Sequence, residues 1–290
     1  MTKRDVDIVV ISDVHLGTYG CRAKELHKYL KSINPKRVIL NGDIIDIWQF
    51  NKRYWPKSHM KVIKLIMKWI ANGITVEYIT GNHDEMLRKF VGFELGSFKI
   101  VNKLLLEIHG KKTWIFHGDV FDVTMQHSKW IAKLGAVGYD SLILLNSAIN
   151  YFSIKFGGAP ISMSKKIKNS VKSAVKFINN FEQIAADIAI ENNYDYVICG
   201  HIHQPEIKKI KSENGSVIYL NSGDWIENLT ALEFNDSKWA LYSFEEDPAF
   251  YQNSKNNFEE ELEEDQILES KALFQNLIKE FQFGKNIIEK

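Results

Sequence analysis

Short apolar runs alternate with longer amphipathic ones through most of the chain. DIVVIS, RVILN, VEYIT, TWIFH and YVICG (7–12, 37–41, 76–80, 113–117 and 196–200) are rich in β-branched or aromatic residues and stop at polar or glycine positions. Runs of that length and composition predict buried strands. Between the first three, AKELHKYLKSI places Leu26, Leu30 and Ile33 on one helical face, and HMKVIKLIMKWI places Met60, Ile63, Met67 and Ile70 on another. Three segments follow a different logic: LLLEIHGKKTWIFH turns at Gly110, EIKKIKSENGSVIYLN at Asn214-Gly215, and NLTALEF meets KWALYSF about Asn235-Asp236. These predict antiparallel hairpins. The whole is α/β, with two mixed sheets in the core and helices outside.

Composition sets the surroundings. A chain of 290 residues with 45% hydrophobic content can bury a sizeable core. Its net charge of +1 supplies no global field for a polyanion, so nucleic acid is not an expected partner. Cys21 and Cys199 are the only cysteines and have no paired spacing, which fits a reducing cytosol. No run reaches the roughly 18 uninterrupted apolar residues of a spanning helix, and the N-terminus lacks the apolar stretch of a signal peptide. A cytoplasmic protein is expected, with contact to a membrane surface left open.

The chemistry lies where strands end. Asp13 and His15 follow the first run, Asp43 the second, Asn82 and His83 the third, His117 the fourth, and His201 and His203 the fifth. In open α/β sheets such loops converge on one crevice. Asp13, His15, Asp43, Asn82, His117, His201 and His203 offer enough oxygen and nitrogen donors for two metal ions sharing a carboxylate. Imidazole with carboxylate suits Mn, Fe, Zn or Ni, and the absence of thiolate clusters argues against structural zinc. His27 on a helix, His59 in a polar loop and His109 at a turn read as surface or satisfied core histidines.

The ordered set DVH, GDIID, GNHD, HGD and GHIH resembles the calcineurin-like metallophosphoesterases from Asp13 to His203. The resemblance implies a two-sheet sandwich and a pair of divalent metals, Mn foremost. The first metal would be held by Asp13, His15, Asp43 and His203, the second by Asp43, Asn82, His117 and His201, with Asp43 bridging. Such a pair hydrolyses phosphoesters without a protein nucleophile. His83 would face the phosphoryl group, stabilising its charge or protonating the leaving oxygen. Asp84 would accept a hydrogen bond from the His83 ring, or cap the helix beginning EMLRKF. Ile47 and Trp48 stand where the protein serine/threonine phosphatase branch has Arg-Gly, which disfavours that branch. NGDIIDIW, a long insert after HGD, and LNSGDW resemble more closely the UDP-2,3-diacylglucosamine diphosphatases, although these carry Arg at the position of His83. That likeness implies cleavage of a nucleotide-linked diacylated sugar to UMP and an acylated sugar phosphate, in lipid A synthesis at the cytoplasmic face of the inner membrane. A phosphodiesterase or phosphatase with a soluble substrate is the alternative; a non-catalytic scaffold ranks last because every ligand position is filled.

The stretch between His117 and His201 is far longer than a connection needs. It carries Ile167, Val171 and Val175 at helical spacing, with Lys165, Lys168 and Lys172 near the other face. The expectation is a helical lid at about 122–193 that receives acyl chains beside anionic lipid, or a helical pair packed on the sandwich. Asp119, Asp122, His127 and Arg22 are candidates for contacting the sugar or nucleotide. The phosphoesterase domain is expected over 1–244. An acidic linker and a short helix bearing Phe274, Leu277 and Phe281 would fill 245–290.

Overall fold

A computed structural model of the protein describes residues 3–48, 54–122, 178 and 180–250. Two mixed sheets pack face to face. The larger has strands β1 (Arg4–Ile11), β2 (Ile33–Asn41), β3 (Thr75–Ile79), β4 (Glu94–Leu95), β5 (Phe98–Val101), β11 (Thr230–Asn235) and β12 (Lys238–Ser243), in the order β12-β11-β1-β2-β3-β5-β4. The smaller has β6 (Lys103–Ile108), β7 (Lys111–Phe116), β8 (Tyr196–Cys199), β9 (Glu206–Ser212) and β10 (Gly215–Asn221), in the order β6-β7-β8-β10-β9.

The inner faces meet through Ile8, Val10, Ile39 and Ile79 from one sheet and Leu104, Ile115, Ile198 and Leu220 from the other. The outer face of the larger sheet is covered by α1 (Ala23–Ser32) and α2 (Lys57–Ala71), through Leu26, Tyr29, Leu30, Val62, Ile66 and Trp69. The outer face of the smaller sheet is covered by α3 (180–191), which buries Phe181, Ala185, Ala186 and Ala189. The α/β two-sheet expectation holds.

Several local expectations need correction. Ile33 opens β2 instead of closing α1, because Pro35 cannot supply a helical N–H and biases Asn34 toward extended backbone. In α2 the buried stripe is His59, Val62, Ile66 and Trp69, while Met60 and Met67 face solvent. The segment is apolar on two overlapping faces; the one bearing Trp69 is buried, and of the other only Ile63 and Ile70 pack in part against the core. His59 is therefore a buried helical residue, not a loop residue, and its Nδ1 accepts the Gly17 N–H at 3.0 Å. The β9–β10 hairpin pairs Ser212 with Gly215, so its turn is Glu213-Asn214, one residue earlier than the dipeptide rule suggests. The last hairpin turns one residue later than expected: Asn235 pairs with Lys238, and the turn residues Asp236 and Ser237 both have positive φ, the geometry that matches strand twist.

Strands β1, β2 and β3 run parallel to one another, as do β7, β8 and β10. Cross-sheet bonds tie their carboxyl ends together: Ser12 and Ser222 hydroxyls are 2.7 Å apart, and the Asn41 amide donates to the Phe116 carbonyl at 3.2 Å. One edge of the sandwich thus collects the strand ends that carry the candidate residues. Most of the expected lid, and the expected C-terminal helix, lie outside the described residues. Among the described residues no helix is long and apolar enough to cross a membrane.

Candidate metal centre

The loops after β1, β2, β3, β7 and β8 bring all seven candidate ligands to this edge. Asp13, His15 and His203 place one donor atom each within 4.8 Å of one another. Asp43, His117 and His201 form a second such group, and His15, Asp43 and His83 a third. Asp43 belongs to two of them, which is the position a shared carboxylate requires.

The backbone is bent to achieve this. Asp13, His15, Asp43, His201 and His203 all have φ between 51° and 66°, a left-handed conformation that costs a residue with a Cβ of the order of 1–3 kcal/mol. The chain holds it through hydrogen bonds across loops. The N–H groups of Val14 and His15 donate to the Asp43 carbonyl, each at 2.9 Å, and that of Asp13 to the Gly42 carbonyl at 3.1 Å. Gly81 and Gly200 are required by contact: a Cβ on the first would collide with the Asp43 carboxylate, and on the second with that of Asp13.

The histidine rings are oriented from behind. Nδ1 of His117 lies 2.8 Å from the Asn41 carbonyl, which can only accept, so in the neutral ring the proton sits on Nδ1 and the lone pair on Nε2. Nδ1 of His15 lies 3.3 Å from Asp46 Oδ2. The front atoms are left without hydrogen bonds although buried: Asp13 Oδ1, His15 Nε2, Asn82 Oδ1 and His117 Nε2. His117 Nε2 stands 3.2 Å from Asp43 Oδ2, and His203 Nε2 3.2 Å from Asp13 Oδ1. Lone pairs facing one another at that range need a cation between them, either a proton or a metal. The electrostatics agree. Burial opposes the charge on Asp13, but His203 and His117 offset it and hold its carboxyl down at about 2. Burial likewise disfavours charged His203, yet Asp13 pushes its pKa up to about 9. Asp43 is lowered and His117 raised against their burial by the same mutual attraction. These atoms fit a pair of divalent metals, which would take the place of the shared protons.

His83 and Asp84 depart from expectation. The His83 ring is held by Asp46, with Nδ1 2.8 Å from Oδ2, and not by Asp84. Burial works against a proton on His83, but the bond to Asp46 and the Asp43 charge raise its pKa. Asp84 is fully buried and accepts from Gly81 N–H at 2.6 Å, Tyr78 hydroxyl at 2.6 Å and Ile44 N–H at 3.0 Å. It ties the Asp43 and Asn82 loops together and makes no side-chain cap to the 3-10 turn Glu85–Phe90 that follows. Asp84 therefore shapes the loops and does not touch the His83 ring, because the short Gly81–Asp84 turn directs its carboxylate back into the protein. Asp46 is not among the residues expected from the sequence, although it is the second acid of GDIID, whereas Asn41 acts on His117 through its backbone and left no side-chain signal.

Among the expected substrate contacts, Arg22 pairs with Glu25 at 3.1 Å. Asp119 pairs with Arg88, which spans from the Asn82 loop to the His117 loop. Asp122 ends the 3-10 turn Asp119–Asp122, with its side chain outside the described residues, as is all of His127.

A two-sheet sandwich with this cluster at one edge defines a class. The chain belongs to the calcineurin-like phosphoesterases, whose family model matches residues 6–205, and is a metal-dependent phosphoester hydrolase. Among curated relatives, it is 25% identical over 247 residues to the UDP-2,3-diacylglucosamine hydrolase of Blochmanniella pennsylvanica, covering 80% of this chain and 93% of that protein. The enzyme of the same name from Photorhabdus laumondii is 23% identical over 246 residues, covering 81% and 97%. A solved phosphoesterase from E. coli, YfcE, aligns over 82% of this chain and 92% of its own at 10% identity, with a TM-score of 0.41.

Proposed function

We propose that the protein hydrolyses the diphosphate of UDP-2,3-diacylglucosamine, releasing UMP and 2,3-diacylglucosamine 1-phosphate. The observation that carries this reading is the alignment of four fifths of this chain with nearly the whole length of hydrolases named for that substrate. The chemistry rests on the buried donor atoms left without hydrogen bonds at the sheet edge. In this reading Asp13, His15, Asp43 and His203 hold one divalent metal, and Asp43, Asn82, His117 and His201 the other. When bound, the metals supply Lewis acidity at the phosphoryl group and make water a stronger acid.

The remaining work belongs to the chain. Asn82 contributes a neutral oxygen, so the second position carries less negative charge than the first. Asp46 fixes Nδ1 of His83 and leaves Nε2 to meet the substrate. Anchored through Nδ1 by Asp46, the His83 ring delivers a proton to the leaving phosphate oxygen or shares one with the phosphoryl group. A diacylated substrate resides in a bilayer, which places the protein at a membrane surface while it works.

His83, where the resembled diphosphatases carry Arg, favours a second reading in which the same centre cleaves a soluble diester. Mn-supplemented hydrolysis of UDP-2,3-diacylglucosamine beside bis(p-nitrophenyl) phosphate, followed by mass spectrometry, separates the two. Release of UMP with the acylated sugar phosphate, faster than turnover of the soluble diester, is the expected result. Cleavage of the soluble diester alone would overturn the substrate and retain the chemistry.

A further inference from the structure

Asp224 is fully buried on the turn after β10. Its Oδ1 accepts the backbone N–H groups of Ile226 at 2.8 Å, Glu227 at 2.6 Å and Asn228 at 3.3 Å, which suffices to build the turn. The second oxygen faces elsewhere. Oδ2 accepts from the Asn228 side-chain amide, which also donates to the His203 carbonyl at 3.0 Å, and lies 3.8 Å from Nδ1 of the His203 ring. The next residue, Trp225, donates its N–H to the Asp13 carbonyl at 3.0 Å. One turn therefore grips both loops that meet where His203 Nε2 faces Asp13 Oδ1, and it holds His203 in its left-handed conformation.

The surroundings of three of the four candidate ligand rings differ. Beyond Nδ1, His203 has the carboxylate of Asp224 and His15 that of Asp46, whereas His117 has the neutral carbonyl of Asn41. A carboxylate behind an imidazole makes its other nitrogen a stronger donor. On the ligand reading proposed above, on which this inference rests, the first position also has two carboxylates, Asp13 and Asp43, against Asp43 and a neutral amide at the second. We infer that Asp224 and Asn228 brace His203 so that the Asp13–His15–His203 position binds a divalent metal more tightly than its neighbour and fills first.

Calorimetric titration of the chelator-stripped full-length protein with Mn2+ tests this. The wild type is expected to show two resolved steps. Asp224→Asn keeps an acceptor for the turn but loses the charge, and should weaken the tight step by about 10–100-fold while leaving the weak step in place. Asn228→Ala, which leaves the Asp224 carboxylate intact, should weaken the same step by a smaller factor, and it decides the matter if Asp224→Asn does not fold by circular dichroism. Two equal sites in the wild type, or folded variants whose tight step is unshifted, would overturn the inference. A wild type that binds no Mn2+ would instead defeat the ligand reading itself.

Discussion

Strained backbone at Asp13, His15, Asp43, His201 and His203 is the clearest residue-scale mark of a site, since each residue forgoes an easier conformation to aim its side chain. Asp43 stands in two donor groups, so Asp43→Asn should reduce hydrolysis of a model diester by more than the ~10–100-fold typical of losing an outer partner. Metal analysis of the same sample should show fewer ions per chain. His83→Ala should lower kcat by about 10²–10⁴-fold, the range of a lost general acid, with metal content intact; loss of both metals would mean that the ring is a ligand. The candidate ligands were legible because each follows an apolar run and carries a metal-binding atom. The partner of His83 was not, because Asp84 is its neighbour in sequence whereas Asp46 lies 37 residues away and only the path of the loops brings it to the ring.

Elements show where pattern reading fails. Helix α2 has apolar residues on two adjacent faces, and sequence spacing chose the one whose Ile63 and Ile70 are only partly buried and whose Met60 and Met67 face solvent. The buried face contains His59, whose pKa burial lowers from 6.5 to about 4. With the folded value depressed, the unfolded chain binds the proton first. This contribution to stability is complete above pH 6.5 and declines as pH falls toward 4. Urea unfolding across that range should show a slope that His59→Asn reduces, because Asn offers an acceptor to Gly17 N–H and does not titrate. An unchanged slope would place the acid sensitivity elsewhere. Between the sheets, Leu220→Ala should cost about 2–5 kcal/mol in the same measurement, as a cavity opens in a region packed from both sides.

At the scale of the whole molecule, the alternation of strands and helices was enough to read a two-sheet α/β core, but not which strands lie side by side. Pairing of β1 with β11, and of β7 with β8, joins segments far apart in sequence and is settled by complementary apolar faces that no local window contains. That pairing matters for function. The parallel pairs β1-β2-β3 and β7-β8-β10 set two triplets with their carboxyl ends at one edge, so donors spread from Asp13 to His203 meet in space. The most direct test of the central claim is anomalous diffraction at the Mn edge from crystals grown with Mn2+. Two peaks are predicted, one against Asp13, His15 and His203 and one against Asn82, His117 and His201, with Asp43 touching both. Peaks away from these residues, or a single ion with Asp43 uncoordinated, would contradict the two-metal account.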